Sequence, residues 1–473
     1  MLWNSKELEV ITGGHSIKPF RVNGVSIDTR TLQPNDLFVA LTVKRDGHDF
    51  VLEALKKGAS GVLVSKIPEG VSSECPLLLV NEVKQALDLI GIASRARSHA
   101  KIVAITGSVG KTSTKEMLKK SLSKHCLVHV SKKSYNNQWG VPLSLANMPE
   151  NIEVAVFEIG MNSPGEILPL TRMIRPHLAI ITAVTTAHLE SFCSVDEIAK
   201  EKASILEGLE ENGLGIVNCD FESLDKALSL YSSVKLITFG KSIEADWRLS
   251  NIKFSNTNMI CSLTSNIYDF DFKINTLGEH HAINATATLC AVHAIGADLS
   301  GAILGLENWK PFKGRGERSL INWKLDRDQS DLELIDESYN ASPASVEASL
   351  YTLAISKPPA IHGRRVAILG DMLELGQTEK SLHEEIVKHP SLKDINVVHC
   401  VGELMNSLFQ NLPPGKRGLL TLTAADFLTN LTGVLKPGDV VMVKGSLSMK
   451  MNLIVDAIKE LGQVVELIDE ESI

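Results

Sequence analysis

No block of Lys or Arg dominates any segment of this 473-residue chain, and its formal net charge is −8. That speaks against nucleic acid as the main partner but leaves room for a small anion in a local pocket. No run approaches the ~20 apolar residues that a membrane span needs. The opening residues, MLWNSKELEV, show no basic region followed by an apolar stretch. Neither a signal peptide nor membrane insertion is expected. The seven cysteines are scattered, none lies in a C-x-x-C, and their number is odd. A disulfide framework and a structural zinc site are therefore not expected, and a reducing, cytoplasmic setting fits. Internal repeats and low-complexity tracts are also lacking.

What is present is ordinary for a globular chain: 44% hydrophobic and 22% charged residues. The length exceeds what one core supports, and two to four domains are expected at about 100–200 residues each. Short apolar runs alternate with amphipathic stretches: Gly61–Ser65, Ile102–Thr106, Val154–Ile159, Leu178–Val184, Arg365–Leu369 and Val440–Val443. This pattern predicts α/β domains with mainly parallel sheets, and runs apolar on both faces predict strands covered on both sides. Glu82–Ala100 reads as a helix, which puts a first boundary near Val83. The segment Trp309–Glu317, rich in Pro, Gly and charge, precedes a new strand pattern. Three domains are expected: 1–82, 83–312 and 313–473.

The strongest local signal is Thr106-Gly107-Ser108-Val109-Gly110-Lys111-Thr112, after a strand (Lys101–Ile105) and before a helix. Glycines let the backbone N–H groups turn toward an anion, and the helix start adds a positive dipole. Lys111 reaches terminal phosphates in such a loop, and the Thr112 hydroxyl binds Mg²⁺. The spacing is shorter than G-x-x-x-x-G-K-[ST], because Ile105 stands where the first glycine would be. The alternative is a glycine-rich turn with a chance lysine.

Two other strand ends carry polar groups. Glu158 lies inside the run Val154–Gly160, and a buried carboxylate needs a metal or a partner charge. Magnesium on a nucleotide is one partner, since ligands collect at the carboxyl ends of parallel strands; a neighbouring Lys is the other. His188 follows the strand-like run Leu178–Val184, either as part of a site or as a hydrogen-bonded loop residue. Val195–Leu209 reads as a helix whose apolar stripe includes Lys202. An inward lysine loses hydration and its proton affinity falls, so that the free amine can take up CO₂ as a carbamate, an oxygen ligand for Mg²⁺. A lysine that snorkels from the stripe edge to solvent is the reading the pattern alone favours.

Taken together these residues resemble the Mur ligase family over essentially the whole length. TGSVGKTSTK (106–115), Asn136-Asn137 in NNQWGVPL (136–143), VFEIGMN (156–162), TTAHLE (185–190) and AKEKASIL (199–206) match in order and spacing. So do EHHAINA (279–285), DESYNASP (336–343), GDMLELG (370–376) and VKGS (443–446). The resemblance implies three domains: a small α/β unit for the UDP end of the substrate, a central ATP-binding domain and a C-terminal Rossmann-like domain. It implies catalytic roles for Lys111, Lys202, His188 and Glu158. The last three, with Thr112, become magnesium ligands, Lys202 as its carbamate. ATP contacts fall on residues 107–113, including Ser113, on His281 and Asn284, and on Arg315, Asp336, Tyr339 and Asn340. Substrate contacts fall on Thr29 and Arg30, on Asp46 and Gly47, and on Asn136 and Asn137. For Arg30 an ordinary surface ion pair is the plain alternative.

The implied cofactors are ATP and Mg²⁺. The implied reaction adds D-alanyl-D-alanine to a UDP-muramoyl-tripeptide through an acyl phosphate, with a monomer as the working unit. Departures from the family pattern are Asn35 where Gly is frequent, Glu337 where Asp also occurs and Ser342 where Asn is common. Leu447 replaces the usual Arg of K-G-S-R-S, while Lys444 remains. Two other readings stay open. A folylpolyglutamate synthase or a ligase of single amino acids would share the loop and Lys202, but the N-terminal segment and GDMLELG argue against it. The D-N-P-R motif of the ligase that adds the third amino acid is absent. A non-catalytic nucleotide switch would need the loop but not Lys202 or His188.

Overall fold

Strands that are apolar on both faces need a cover on both, and that requirement organises the whole chain. The computed structural model describes residues 1–465 apart from 73, 133, 326 and 327; positions 466–473 of the expected third domain lie outside them. Sheets of five, nine and seven strands follow one another along the chain. In the first, β1 (Gly24–Ser26), β2 (Asp36–Val39) and β3 (Gly61–Val64) pair in parallel. Leu37 and Val39 enter one core while Phe38 and Ala40 enter another, as the two-residue period of a strand dictates. Asn35, before β2, holds φ +69°. Asn tolerates this left-handed backbone better than most residues, which accounts for its standing at a position favoured by Gly.

α1 (Val83–Arg97) lays Val83, Ala86, Leu87 and Ile90 into the first of these cores, where Leu143 and Ala146 of the helix Gly140–Ala146 join them. The N-terminal unit is tied down further. Asn147 accepts from Val25 N and donates to Val25 O, each at 2.9 Å. Trp3 donates to Ala146 O at 2.8 Å, and Arg97 lies over the Trp3 ring.

The nine-stranded sheet holds β4 (Lys101–Thr106), β5 (Val154–Glu158), β6 (Leu178–Ile181) and β7 (Leu214–Asn218). β4 lies between β5 and β6, β7 lies beyond β6, and all four are parallel. The strand order therefore reverses at β4, and the crevice at its carboxyl end is where open α/β sheets bind ligands. Val103 and Ile105 pack with α2 (Lys111–Leu122) and α4 (Glu279–Ala294); Ile102 and Ala104 pack with α3 (Val195–Ala203). The helix expected over 195–209 ends at Ala203 and continues as a 3₁₀ turn, Ser204–Gly208. Small buried residues along α4, such as Ala282, Ala285 and Ala291, let its backbone approach the sheet closely.

In the third sheet β8 (Glu317–Leu325) is antiparallel to β9 (Asp328–Glu337). β10 (Arg365–Gly370) and β11 (Val440–Lys444) continue it in parallel. α5 (Pro343–Ile355) opens with a reciprocal cap between Ser342 and Ser345 and Pro at its first turn. A Ser at 342 thus caps the helix as well as an Asn does. Each expected strand is present, with ends shifted by up to a few residues. Among the described residues no helix is long and apolar enough to cross a membrane.

Two stability effects follow from this packing. Asn147→Ala removes both bonds to Val25 and should cost about 1–3 kcal/mol in the first unfolding transition in urea, with the C-terminal transition unchanged. His399, buried in the strand Val397–Val401, accepts from Leu419 N through Nδ1 at 2.8 Å. Burial, aided by Arg364, pushes its pKa from the ordinary 6.5 down to about 4. The unfolded chain therefore takes up this proton first. Stability is complete above about pH 6.5 and falls toward pH 4, by ~1.4 kcal/mol per pH unit from this group. Amide exchange in β10 and its neighbours measured from pH 7 to 4 should show that slope, and His399→Asn should flatten it by one proton.

Candidate active site

The loop after β4 has the backbone that phosphate binding asks for. Gly107 holds φ +154° and Gly110 φ +88°, both in the region that favours glycine. Space demands glycine as well: a Cβ on Gly107 would collide with Thr182 Oγ1, and one on Gly110 would lie 2.6 Å from Asn284 Oδ1. The loop is stapled to the segment after β6. Thr182 Oγ1 donates to Val109 O at 2.6 Å, Ser108 N donates to Ala183 O at 2.8 Å, and Thr185 N donates to Ser108 Oγ at 3.0 Å. α2 starts at Lys111, so its unpaired N–H groups face the crevice. Lys111 Nζ folds back and donates to Gly107 O at 2.6 Å. Burial lowers its proton affinity, and the charge of Glu158 works against that shift.

Glu158 ends β5 with 1% of its surface exposed. Thr112 Oγ1 donates to its Oε2 at 2.9 Å and Asn136 Nδ2 donates to its Oε1 at 2.7 Å. Both donors are neutral. Asn137 instead accepts from Gly140 N at 2.9 Å and shapes the turn into the following helix. Lys202 lies on the inner face of α3, 2% exposed. Its pKa sits well below the usual lysine value, first because of burial and then because of Lys111; Glu201 opposes the shift. The inward reading of Lys202 is thus the one the fold adopts, and the snorkelling alternative is not.

Two adjoining cavities meet at the loop. One is lined by Lys111, Thr112, Asn136, Glu158 and His188 on the middle-domain side and by Arg315, Tyr339 and Asn340 on the C-terminal side. The other lies between the loop, the start of α4 and the C-terminal groups Glu337, Ser342 and Lys444, with Ser113, His281 and Asn284 on its wall. His281 is buried against Trp309, with ring centroids 5.2 Å apart, and burial holds its pKa far below the usual range, so the ring is neutral. Lys444 donates to Asn340 O at 3.0 Å and pairs with Glu337 at 3.6 Å. Leu447 stands on an exposed 3₁₀ turn beyond them.

Asp336 is fully buried at the end of β9 and lines neither cavity. It accepts from Gly314 N at 2.9 Å and from the Ser338 hydroxyl at 2.6 Å, while its carbonyl accepts from Gly316 N at 2.8 Å. Its position is that of a brace for the turn carrying Arg315, whose guanidinium stacks over Tyr339 at 4.2 Å. The N-terminal candidates do not line these cavities. Thr29 is buried, and exposed Arg30 is bidentate to Asp28, at 2.9 and 2.7 Å. Asp46 caps a 3₁₀ turn and holds His48 Nδ1 at 2.6 Å; a Cβ on Gly47 would collide with the Leu41 backbone. A separate cavity between the first two units is lined by Ser26, Thr31, Asp36, Lys132 and Tyr135.

Three side chains at the site escaped the reading of the sequence. Thr182 directly follows β6 and Asn218 ends β7, and Asn218 donates to Thr182 O at 3.0 Å. Position after a parallel strand was the signal that could have found both. Glu374 meets His188 Nδ1 at 2.7 Å from another sheet, and no local pattern records such a pair.

Comparison with known proteins agrees with this geometry. Residues 105–292 match the Mur ligase middle domain and residues 324–447 the glutamate ligase domain of Mur ligases. The UDP-N-acetylmuramoyl-tripeptide–D-alanyl-D-alanine ligase of Rickettsia prowazekii is 34% identical over 459 residues, covering 96% of this chain and 99% of that one. The crystal structure of MurF from Acinetobacter baumannii superposes with a TM-score of 0.81 at 26% identity, covering 97% and 99%. MurF ligase from Thermotoga maritima, solved in complex with ADP, gives 0.77 at 25% identity, covering 93% and 98%. With both family domains in register with its sheets and a relative matched nearly end to end, the chain belongs to the Mur ligases, ATP-using enzymes of three α/β domains.

Proposed function

We propose that the chain joins D-alanyl-D-alanine to the terminal carboxylate of a UDP-N-acetylmuramoyl-tripeptide, with ATP converted to ADP and phosphate, in the synthesis of a peptidoglycan precursor. The observation that carries this reading is the likeness to ligases of that name along nearly the whole chain, N-terminal unit included. We place the domain boundaries near residues 83 and 313. We take a monomer as the working unit.

The γ-phosphoryl of ATP passes to a carboxylate oxygen of the tripeptide, giving an acyl phosphate and ADP. The dipeptide amine then attacks the acyl carbon, a tetrahedral species forms, phosphate leaves, and the amine's proton is lost. Two anions must approach each other, so the site has to offset their repulsion and exclude water. Residues 107–113 cradle the phosphates, with Lys111 turning from the Gly107 carbonyl to the terminal phosphate oxygens. Asn284, Arg315, Tyr339 and Asn340 close the nucleotide from α4 and the C-terminal side, and Asp336 braces Arg315. Thr29, Arg30, Asp46 and Gly47 serve the UDP end, and Asn136 and Asn137 the approach to the carboxylate.

The donor set suits magnesium. Glu158 is a buried carboxylate held by neutral donors, Thr112 adds a hydroxyl and His188 lines the same cavity; Lys202, which lines neither cavity but has its pKa lowered by burial, would join them as a carbamate. No group of three or more His, Cys, Asp or Glu among the described residues forms a ready-made metal cage. That agrees with an ion bound through few protein ligands together with phosphates. When bound, it supplies charge stabilisation to the transferring phosphoryl group.

Phosphate release measured with Mg²⁺, ATP and UDP-N-acetylmuramoyl-tripeptide should require D-alanyl-D-alanine, and mass spectrometry should show the pentapeptide product. Release driven by a single amino acid or by a folate substrate would move the chain to another branch of ATP-dependent ligases. Gly107→Ala places a methyl group against Thr182 in a backbone that disfavours it, and should weaken binding of an ATP analogue by on the order of 100-fold in protein that circular dichroism shows to be folded, with some loss of melting temperature. Calorimetric titration gives the answer, and unaltered affinity would remove residues 107–113 from the nucleotide site.

A further inference from the structure

The loop after β10 reaches across from the C-terminal sheet and meets the turn after β6. His188 Nδ1 lies 2.7 Å from Glu374 Oε2. Both residues hold left-handed backbone, φ +60° and +66°, and neither is glycine. Such conformations cost about 1 kcal/mol or more each and persist where their surroundings over-determine them. The surroundings here are each other. Glu190 N donates to Glu374 O at 3.2 Å, and a Cβ on Gly376 would lie 3.2 Å from Glu190 Cα, so the two backbones touch.

We infer that Glu374 is a positioning residue for this reaction: it holds the His188 imidazole by Nδ1, leaves Nε2 for the metal and phosphate site, and makes that site complete only when the C-terminal domain is docked. A carboxylate accepts, so the ring N–H at Nδ1 is the one that donates to Glu374, and Nε2 is the nitrogen left free of it. The geometry has the right sides. His188 lines both cavities, whereas Glu374 lines the one at α4 and not the one holding Lys111, Thr112 and Glu158. The carboxylate therefore grips the ring from the side away from those groups. A carboxylate behind a metal-binding imidazole commonly fixes its orientation and tautomer in this way. The inference rests on the reading of His188 as a magnesium ligand.

The test uses full-length Glu374→Ala, Glu374→Asn and His188→Ala. Asn tolerates left-handed backbone but is too short to reach the ring, so it separates loss of the carboxylate from disturbance of the turn. Nitrogen-15 NMR of the His188 ring in metal-free protein should show the Nδ1-protonated tautomer in the parent chain and a mixture in both Glu374 variants. The magnesium concentration giving half-maximal turnover at saturating ATP should rise about 10–100-fold in both, with KM for the UDP-tripeptide unchanged. An unchanged tautomer or an unchanged magnesium dependence in the Glu374 variants, beside a shifted one in His188→Ala, overturns the role of Glu374 alone. An unchanged magnesium dependence in His188→Ala overturns the reading of His188 as a ligand and takes this inference with it.

Discussion

A carboxylate buried among neutral donors is the constraint on which the site depends. Glu158 has its two oxygens on Thr112 and Asn136, neither of which carries charge. Burying an ion costs several kcal/mol unless an opposite charge stands near it, and here Lys111 is close enough for its charge and that of Glu158 to interact. The fold leaves no freedom here. β5 is apolar on both faces and delivers Glu158 at its carboxyl end, beside the loop whose N–H groups and helix start are positive. The sheet thus sets a fixed negative point next to a fixed positive cradle. The phosphates of a nucleotide suit the positive cradle.

The three sheets are not equally free to move. The first is fastened to the second through Asn147, Trp3 and the shared core around α1. The third is joined by the segment after α4, and Asp336 fixes the far end of that segment to β9 by holding Gly314 and Gly316. Arg315 therefore travels with the C-terminal sheet, although it precedes that sheet's first strand. Any pivot between these units has to lie before Gly314. A rigid arm carrying Arg315, Tyr339 and Asn340 from one side and Glu374 from the other can close on the middle-domain loop as a single body.

Much of this was legible in the sequence, for a physical reason. A strand covered on both faces must be a short apolar run, and a phosphate loop must place glycines between such a run and a helix start; both signals are local. Lys202 was legible only in part. Its position on the apolar stripe of α3 was plain, but two lysine environments fit that stripe until the opposing face was known to be packed. Asp336 shows the limit more sharply. Its motif pointed to ATP, whereas its oxygens are committed to Gly314 and Ser338, a long-range brace that no residue pattern encodes. The pairing of His188 with Glu374 is of the same kind, since it exists only once two sheets have docked.

The two buried lysines decide one further point. Lys111 and Lys202 each lose proton affinity through burial, and each is near enough to an ionisable neighbour for its charge to matter: Glu158 favours the charge on Lys111, while Lys111 disfavours the charge on Lys202. The site can hold one ammonium comfortably, and the position of Glu158 selects Lys111 for it. Lys202 is left with the lowered proton affinity, within reach of the charge of Lys111. On the proposed reading, a carbamate at Lys202 would set a negative charge beside Lys111 where the amine offers none. A carbamate there would supply an anionic oxygen of the kind a hard divalent ion prefers. Desolvation, a cost for a lysine side chain, would then be what frees the amine for that step.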